Sequence, residues 1–238
     1  MKKDNSGFTL IELICVIAIL GLVTVSIFSF ILSGMGMAKE TKKSMALSEN
    51  ARTAINKMKT DIMNCGGGVV GSDSIEVSSD GKLILDSTVY NGAAKDLGNT
   101  FYLMTRDGTA SDGVNATYTI NCYRYDSTDE KIYYGRAKNV AITSNLNSNI
   151  LTTCSPTHVL CDHVSSFTAS VFPEGETVTE TKSDGSTESK LQIKAKRVHV
   201  ILSLDRDNKN FHTQQDAAVR SDVRYFKNFS DAAVSLNS

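Results

Sequence analysis

Between Phe8 and Leu32 the chain reads FTLIELICVIAILGLVTVSIFSFIL, apolar except for Thr, Ser and a single acid, Glu12. Written on a helix, such a run has no polar face, so it has to be covered by a core or by lipid. About 25 residues rising 1.5 Å each extend about 37 Å, enough to cross a bilayer. Lys2 and Lys3 stand before the run, and the positive-inside tendency keeps that end cytoplasmic and sends the remainder across. The expectation is a single-pass anchor in the cell membrane with an extracytoplasmic C-terminal part.

Composition matters here as a contrast. The 238 residues are 41% hydrophobic and carry 25 basic and 26 acidic side chains, a net charge of −1. Neither sign gathers into a block, which argues against a basic nucleic-acid arm or an acidic tail and names no partner. Beyond the first 32 positions the chain turns polar, rich in Ser, Thr, Asn and Asp, with no Trp. An anchor plus one domain is the simplest organisation for this length.

Two features separate the apolar run from an ordinary secretory signal, although Ser33-Gly34-Met35-Gly36 offers small residues for cleavage after it. Glu12 lies only four residues into the run, where an unpaired charge costs roughly 2.5 to 3.5 kcal/mol on insertion scales. Such a carboxylate requires a partner. Gly7, a small residue, stands at the junction of the polar leader and the apolar segment.

Ser6-Gly7-Phe8-Thr9-Leu10-Ile11-Glu12-Leu13 resembles the prepilin motif of type IV pilins and pseudopilins. The resemblance implies that a prepilin peptidase cuts between Gly7 and Phe8, that Phe8 is then N-methylated, and that Glu12 pairs with the N-terminal amine of a neighbouring subunit during assembly. It also implies partners: other pilins in a filament and an inner-membrane assembly platform. The physics agrees, since an ammonium at Phe8 and a carboxylate at Glu12 are both costly in lipid and an intermolecular pair relieves both. The bland alternative is an anchor whose Glu12 rests at the membrane interface. The chain departs from many pilins in lacking a helix-breaking Pro in the membrane half.

The domain boundaries expected are a leader at 1–7, a transmembrane helix at 8–32, its amphipathic continuation at 33–65 and a β-rich domain at 66–238. In the continuation, Leu47, Ala51, Ile55, Met58 and Ile62 recur at helical spacing and make one apolar stripe for core packing. No Pro interrupts Phe8 to Cys65, so one long helix is expected, with Gly34 and Gly36 as its soft point. Gly66-Gly67-Gly68 should stop it; the run follows a helix and lacks the Lys-Ser/Thr of a phosphate loop.

Strand-like segments follow at Ile75–Val77, Lys82–Leu85, Thr100–Met104, Ala116–Tyr125, Lys131–Tyr134, Val164–Phe172 and Lys190–Leu204. Asp184-Gly185 signals a hairpin, and the apolar parity changes between Leu191, Ile193, Ala195 and Val198, Val200, Leu202, Leu204, which predicts a bulge near Lys196. The fold class is α+β, a long N-terminal helix packed on an antiparallel sheet in pilin-like fashion. By order of segments, Tyr123–Asp126, Lys131–Tyr134, Leu160–Phe167, Val198–Leu204 and Val219–Ser221 resemble J-type pseudopilins of type II secretion and W-type minor pilins, which implies a low-copy subunit.

Other chemistry is sparse. Cys15 reads as apolar filler in the membrane run. Cys65, Cys122, Cys154 and Cys161 allow three connectivities for two disulfides, and Cys154 with Cys161 is the candidate pair closest in sequence. Cys154, His158, Cys161 and His163 have zinc-type donors at no standard spacing. Asp205 to Asn210 alternates oxygen ligands but lacks a closing acid, so a polar hairpin turn is preferred to calcium. Lys194, Lys196 and Arg197 read as a solvated strand face rather than a phosphate site. No nucleophile, base and acid fall into an ordered motif. The expectation is no enzyme, no metal and no cofactor; a tip adhesin or DNA-uptake module, with nucleic acid as partner, and an anchored hydrolase are the rival readings.

Overall fold

The computed structural model describes residues 9–71, 76–77, 83–85, 88–89, 95–109, 116–142, 146–181, 185–207, 209–219, 223–226, 229 and 232–233. Gly7, Phe8 and Val219–Ser221 beyond Val219 lie outside them.

Helix α1 runs unbroken over Leu10–Asn64, and Gly34 and Gly36 are helical within it. It contributes to two compact units, one ending at Ala46 and the other spanning Leu47 to the C-terminus. Every member of the expected stripe is buried, and Ala54 joins it.

The strands are β1 (Gly68–Val70), β2 (Glu76–Val77), β3 (Leu83–Leu85), β4 (Thr88–Val89), β5 (Lys95–Asp96), β6 (Thr100–Thr109), β7 (Ala116–Asp126) and β8 (Lys131–Ala141), then, after helix α2 (Leu146–Cys154), β9 (His158–Cys161), β10 (Val164–Thr181), β11 (Thr187–Arg206), β12 (Lys209–Ala218) and β13 (Arg224–Phe226). A small sheet takes the order β2-β3-β4, and the main one takes β5-β10-β11-β13-β1-β6-β7-β8-β9 with β12 also on β11. Pairing is antiparallel except between β1 and β13. All seven expected strand segments have a counterpart, most of them longer than their apolar cores.

The glycine run does more than stop α1. A side chain at Gly68 would meet Met104 Cε at 2.6 Å and the Phe226 ring at 2.7 Å, so β1 can slot between β6 and β13 only without one. Further along, Gly185 takes φ +82° in the β10–β11 hairpin. Phe172 pairs with Arg197 and Pro173 with Ala195, which leaves Lys196 as the extra residue of a bulge. The bulge is the reason that Ala195 and Val198, at different parity, are both buried.

The curled sheet is covered on both faces. Alternation along β6 sends Phe101 and Leu103 to one apolar cluster and Tyr102 and Met104 to the other. The first cluster receives the α1 stripe, with Val198, Val200 and Leu202 of β11; the second receives Leu146, Ile150 and Cys154 of α2 with Phe229, Ala232 and Ala233. Burial on both faces explains why Tyr118 to Tyr123 form a continuous buried run in β7.

Between α1 and the sheet lies a polar bridge. Lys57 Nζ donates to Asp61 Oδ1 and Oδ2 at 2.7 and 2.6 Å, and the Tyr123 hydroxyl donates to Asp61 Oδ2 at 2.5 Å. Tyr134 sits under the Lys57 ammonium, 4.6 Å from its ring centroid, and its hydroxyl donates to Asn121 Oδ1 at 2.9 Å. Burial, followed by the Asp61 charge and its hydrogen bond, drives the Tyr123 phenol far above the usual tyrosine range.

Candidate functional site at the N-terminal turn

The first turn of α1 is closed by reciprocal bonds between Thr9 and Glu12. The Glu12 amide donates to Thr9 Oγ1 at 3.3 Å, while the Thr9 amide and hydroxyl both donate to Glu12 Oε2 at 3.0 Å. This is a capping box: Thr9 is the N-cap, Glu12 the third helical residue, and two otherwise orphaned amides are satisfied. The Leu13 amide completes the turn on the Thr9 carbonyl at 3.3 Å. Glu12 therefore has a local role beside the intermolecular one that its place in an apolar run implies. The pattern Thr-x-x-Glu ahead of an apolar run is readable in the sequence, so Thr9 could have been found there.

Around this turn the helix surface is apolar and uncovered. Leu10 is 77% exposed and Phe30 81%, and the large apolar side chains between them are exposed as well. Two of the hydroxyls are bonded to their own helix: Thr24 Oγ1 donates to the Leu20 carbonyl at 2.7 Å and Ser26 Oγ to that of Leu22 at 3.0 Å. Such bonding lowers the cost of those two hydroxyls in lipid, and Glu12 is the one charged group from Leu10 to Leu32. The helix is long and apolar enough to cross a membrane.

The family model of the prokaryotic N-terminal methylation motif matches residues 2–28, spanning the leader, Thr9, Glu12 and most of the apolar run. That match supports a type IV pilin-like N-terminal segment. No curated protein and no solved structure matches it. The pilin-type motif implies processing by a prepilin peptidase and assembly with other pilins. Of the motif residues singled out in the sequence, Glu12 is described, whereas Gly7 and Phe8 lie outside the described residues.

The remaining candidates lie in the domain. The structure does not bring Cys154 and Cys161 together. Cys154 belongs with Cys122 to the α2-side cluster, whereas Cys161 and Cys65 belong to the α1-side cluster. Proximity in sequence misled because α2 ends on one face of the sheet while β9 carries Cys161 to the other. All four are buried thiols. Burial pushes Cys65 and Cys154 up to about 11 and Cys122 and Cys161 up to about 12.

Among the described residues no three His, Cys, Asp or Glu side chains gather into a metal-binding group, and Cys154, His158, Cys161 and His163 do not converge. His163 Nδ1 lies 3.2 Å from Asp162 Oδ1, which also accepts from Asn50 Nδ2 at 3.2 Å. Asp205 pairs with Asn210 and Arg206 with Lys209, so that segment is the turn of the β11–β12 hairpin. Arg197 packs its guanidinium 4.0 Å over the Phe172 ring, with Nε 3.6 Å from Asp216.

Proposed function

We propose that the chain is a minor pilin or pseudopilin subunit: cut by prepilin peptidase between Gly7 and Phe8, methylated on Phe8, held by one membrane helix with its β-rich domain extracytoplasmic, and drawn into a type IV pilus-like or type II secretion-like filament. Its role is structural and not enzymatic. The observation that carries this reading is Glu12, an acid in the first turn of an exposed apolar helix. A charge so placed is costly in lipid unless an ammonium meets it, and a neighbour's processed Phe8 supplies one. The low-copy assignment rests on the order of the segments now found on β7, β8, β9 to β10 and β11. These resemble J-type and W-type subunits.

The test uses membrane-extracted protein and sheared filaments. The mature chain should begin at methylated Phe8, by N-terminal sequencing or intact mass. Glu12→Ala and Glu12→Gln should both be inserted and cleaved, yet fall in filament incorporation by roughly 100-fold or more, since removing one partner of a buried ion pair costs on the order of 3 to 5 kcal/mol. An intact Met1, or equal incorporation of wild type and Glu12→Gln, would sink the reading.

A further inference from the structure

Two of the buried cysteines converge from different elements. Cys122 lies on β7 opposite Gly135 of β8, so the two positions share one sheet face. A side chain at Gly135 would collide with the Cys154 carbonyl oxygen and come within 2.7 Å of the Pro156 nitrogen. The end of α2 is therefore laid on the sheet beside Cys122. From there Cys154 Sγ reaches 3.9 Å from the carbonyl of Ile120, the residue two before Cys122 on β7. Cys122 and Cys154 are 0% and 2% exposed and belong to one cluster with Ile120 and Ala137. Tyr102 pairs with Cys122 across β6 and β7, and its buried phenol feels both thiols. The other two cysteines are engaged elsewhere: Cys65 Sγ meets the carbonyls of Gly68 and Met104 at 3.1 and 3.2 Å, and Cys161 Sγ that of Asp162 at 3.7 Å.

We propose that Cys122 and Cys154 are the disulfide pair of the mature protein, joining the C-terminus of α2 to β7. This rests on the reading that the domain is delivered to the extracytoplasmic side, where oxidation is permitted. The oxidant is a protein disulfide of the thiol-oxidase class. The Cys154 thiolate attacks one of its sulfurs, breaking its S–S bond and releasing one thiol. The Cys122 thiolate then attacks Cys154 Sγ in the mixed disulfide and releases the second thiol. One S–S bond forms as one breaks, and the two electrons and two protons end on the oxidant. Burial raises both thiols, to about 12 for Cys122 and about 11 for Cys154, which leaves little thiolate in the closed core. Exchange therefore precedes the docking of α2, and the finished bond is shielded from reductants. It also gives α2 a covalent hold that LNSNILTTC, with few strong helix formers, does not provide by propensity.

The full-length wild-type chain is extracted from membranes, quenched in acid, unfolded without reductant in the presence of an alkylating agent, digested and mapped by mass spectrometry. The expected result is a linked pair of peptides carrying Cys122 and Cys154, with Cys65 and Cys161 alkylated. Reduction should lower the melting temperature by roughly 6 to 12 °C. Alkylation of both Cys122 and Cys154, or a link from either to Cys65 or Cys161, overturns the proposal. The N-terminal mass from the same sample separates the two readings. A chain beginning at Phe8 with both thiols alkylated rejects the disulfide and leaves processing intact, whereas a chain retaining Met1 but carrying the link rejects processing and keeps the disulfide.

Discussion

Within α1, residues 10–46 and residues 47–64 share one backbone conformation and are built for different surroundings. In the first region the apolar side chains point all round and stay exposed, with only Glu12 charged up to Leu32. In the second, Leu47, Ala51, Ala54, Ile55, Met58 and Ile62 form one buried stripe, while Lys57 and Asp61 flank it as a bonded pair. Helical hydrogen bonding is common to both, so it cannot distinguish them. The distribution of polar groups does: a stripe asks for a protein core, whereas an all-round apolar surface asks for lipid or for other helices.

The comparison would break most visibly at Met58. This side chain is fully buried in the α1-side cluster, so Met58→Ala should lower domain stability by roughly 2 to 5 kcal/mol. Leu20→Ala, at a position 58% exposed, should leave the domain's unfolding midpoint unchanged. Denaturant titration of the detergent-solubilised full chain reads both. Equal losses would mean that residues 10–46 share the domain's core.

How much of this was legible follows from the same contrast. The stripe could be read because its period survives in Leu47, Ala51, Ile55, Met58 and Ile62, and the Lys196 bulge because buried residues change parity around it. β12 was missed because, Ala217 apart, its side chains are half-exposed or exposed, so KNFHTQQDAA carries little apolar signal. α2 was missed because Asn, Ser and Thr dominate it; its buried Leu146, Ile150 and Cys154, four residues apart, are a helical face made by docking rather than by propensity. β1 was hidden by glycines that read as a stop. At the N-terminal turn Glu12 stood out as a misplaced charge, which drew attention away from Thr9.

A second, smaller break concerns the polar bridge that only the second region makes. Tyr123→Phe removes the hydroxyl that donates to Asp61 Oδ2, while Lys57 continues to hold the carboxylate. The expected loss is about 1.5 to 3 kcal/mol, the range for a hydrogen bond to a charged group. The pH profile sharpens it. Because the folded protein holds the Tyr123 proton above the ordinary value of 10.0, this contribution is fully present below about pH 10 and declines as the unfolded phenol ionises. The stability difference between wild type and Tyr123→Phe, measured by denaturant titration, should therefore be constant from pH 7 to 9 and shrink above 10. A difference that grows there would contradict the assignment.

The smallest effect belongs to Thr9, and it asks what starts the first region. The second part of α1 can rely on tertiary packing to hold its backbone; the first turn has only its cap, since its side chains are exposed. Thr9→Val keeps the shape of the side chain and removes the oxygen that accepts from the Glu12 amide and donates to Oε2. Loss of an N-cap costs about 1 kcal/mol, which corresponds to roughly fivefold less protection of the first-turn amides. Hydrogen exchange in detergent should show that loss at Glu12 and Leu13 and nowhere in the domain. Thr9→Ser, which restores the oxygen, should recover wild-type protection. Glu12→Gln should fall near wild type in this assay, because an amide oxygen can still accept from the Thr9 amide, although the same variant fails in assembly. Capping and charge pairing are thus separable at one residue: if Thr9→Val and Glu12→Gln both leave exchange and incorporation unchanged, neither role holds, and if Thr9→Val alone abolishes incorporation, the cap is what presents the carboxylate to its neighbour.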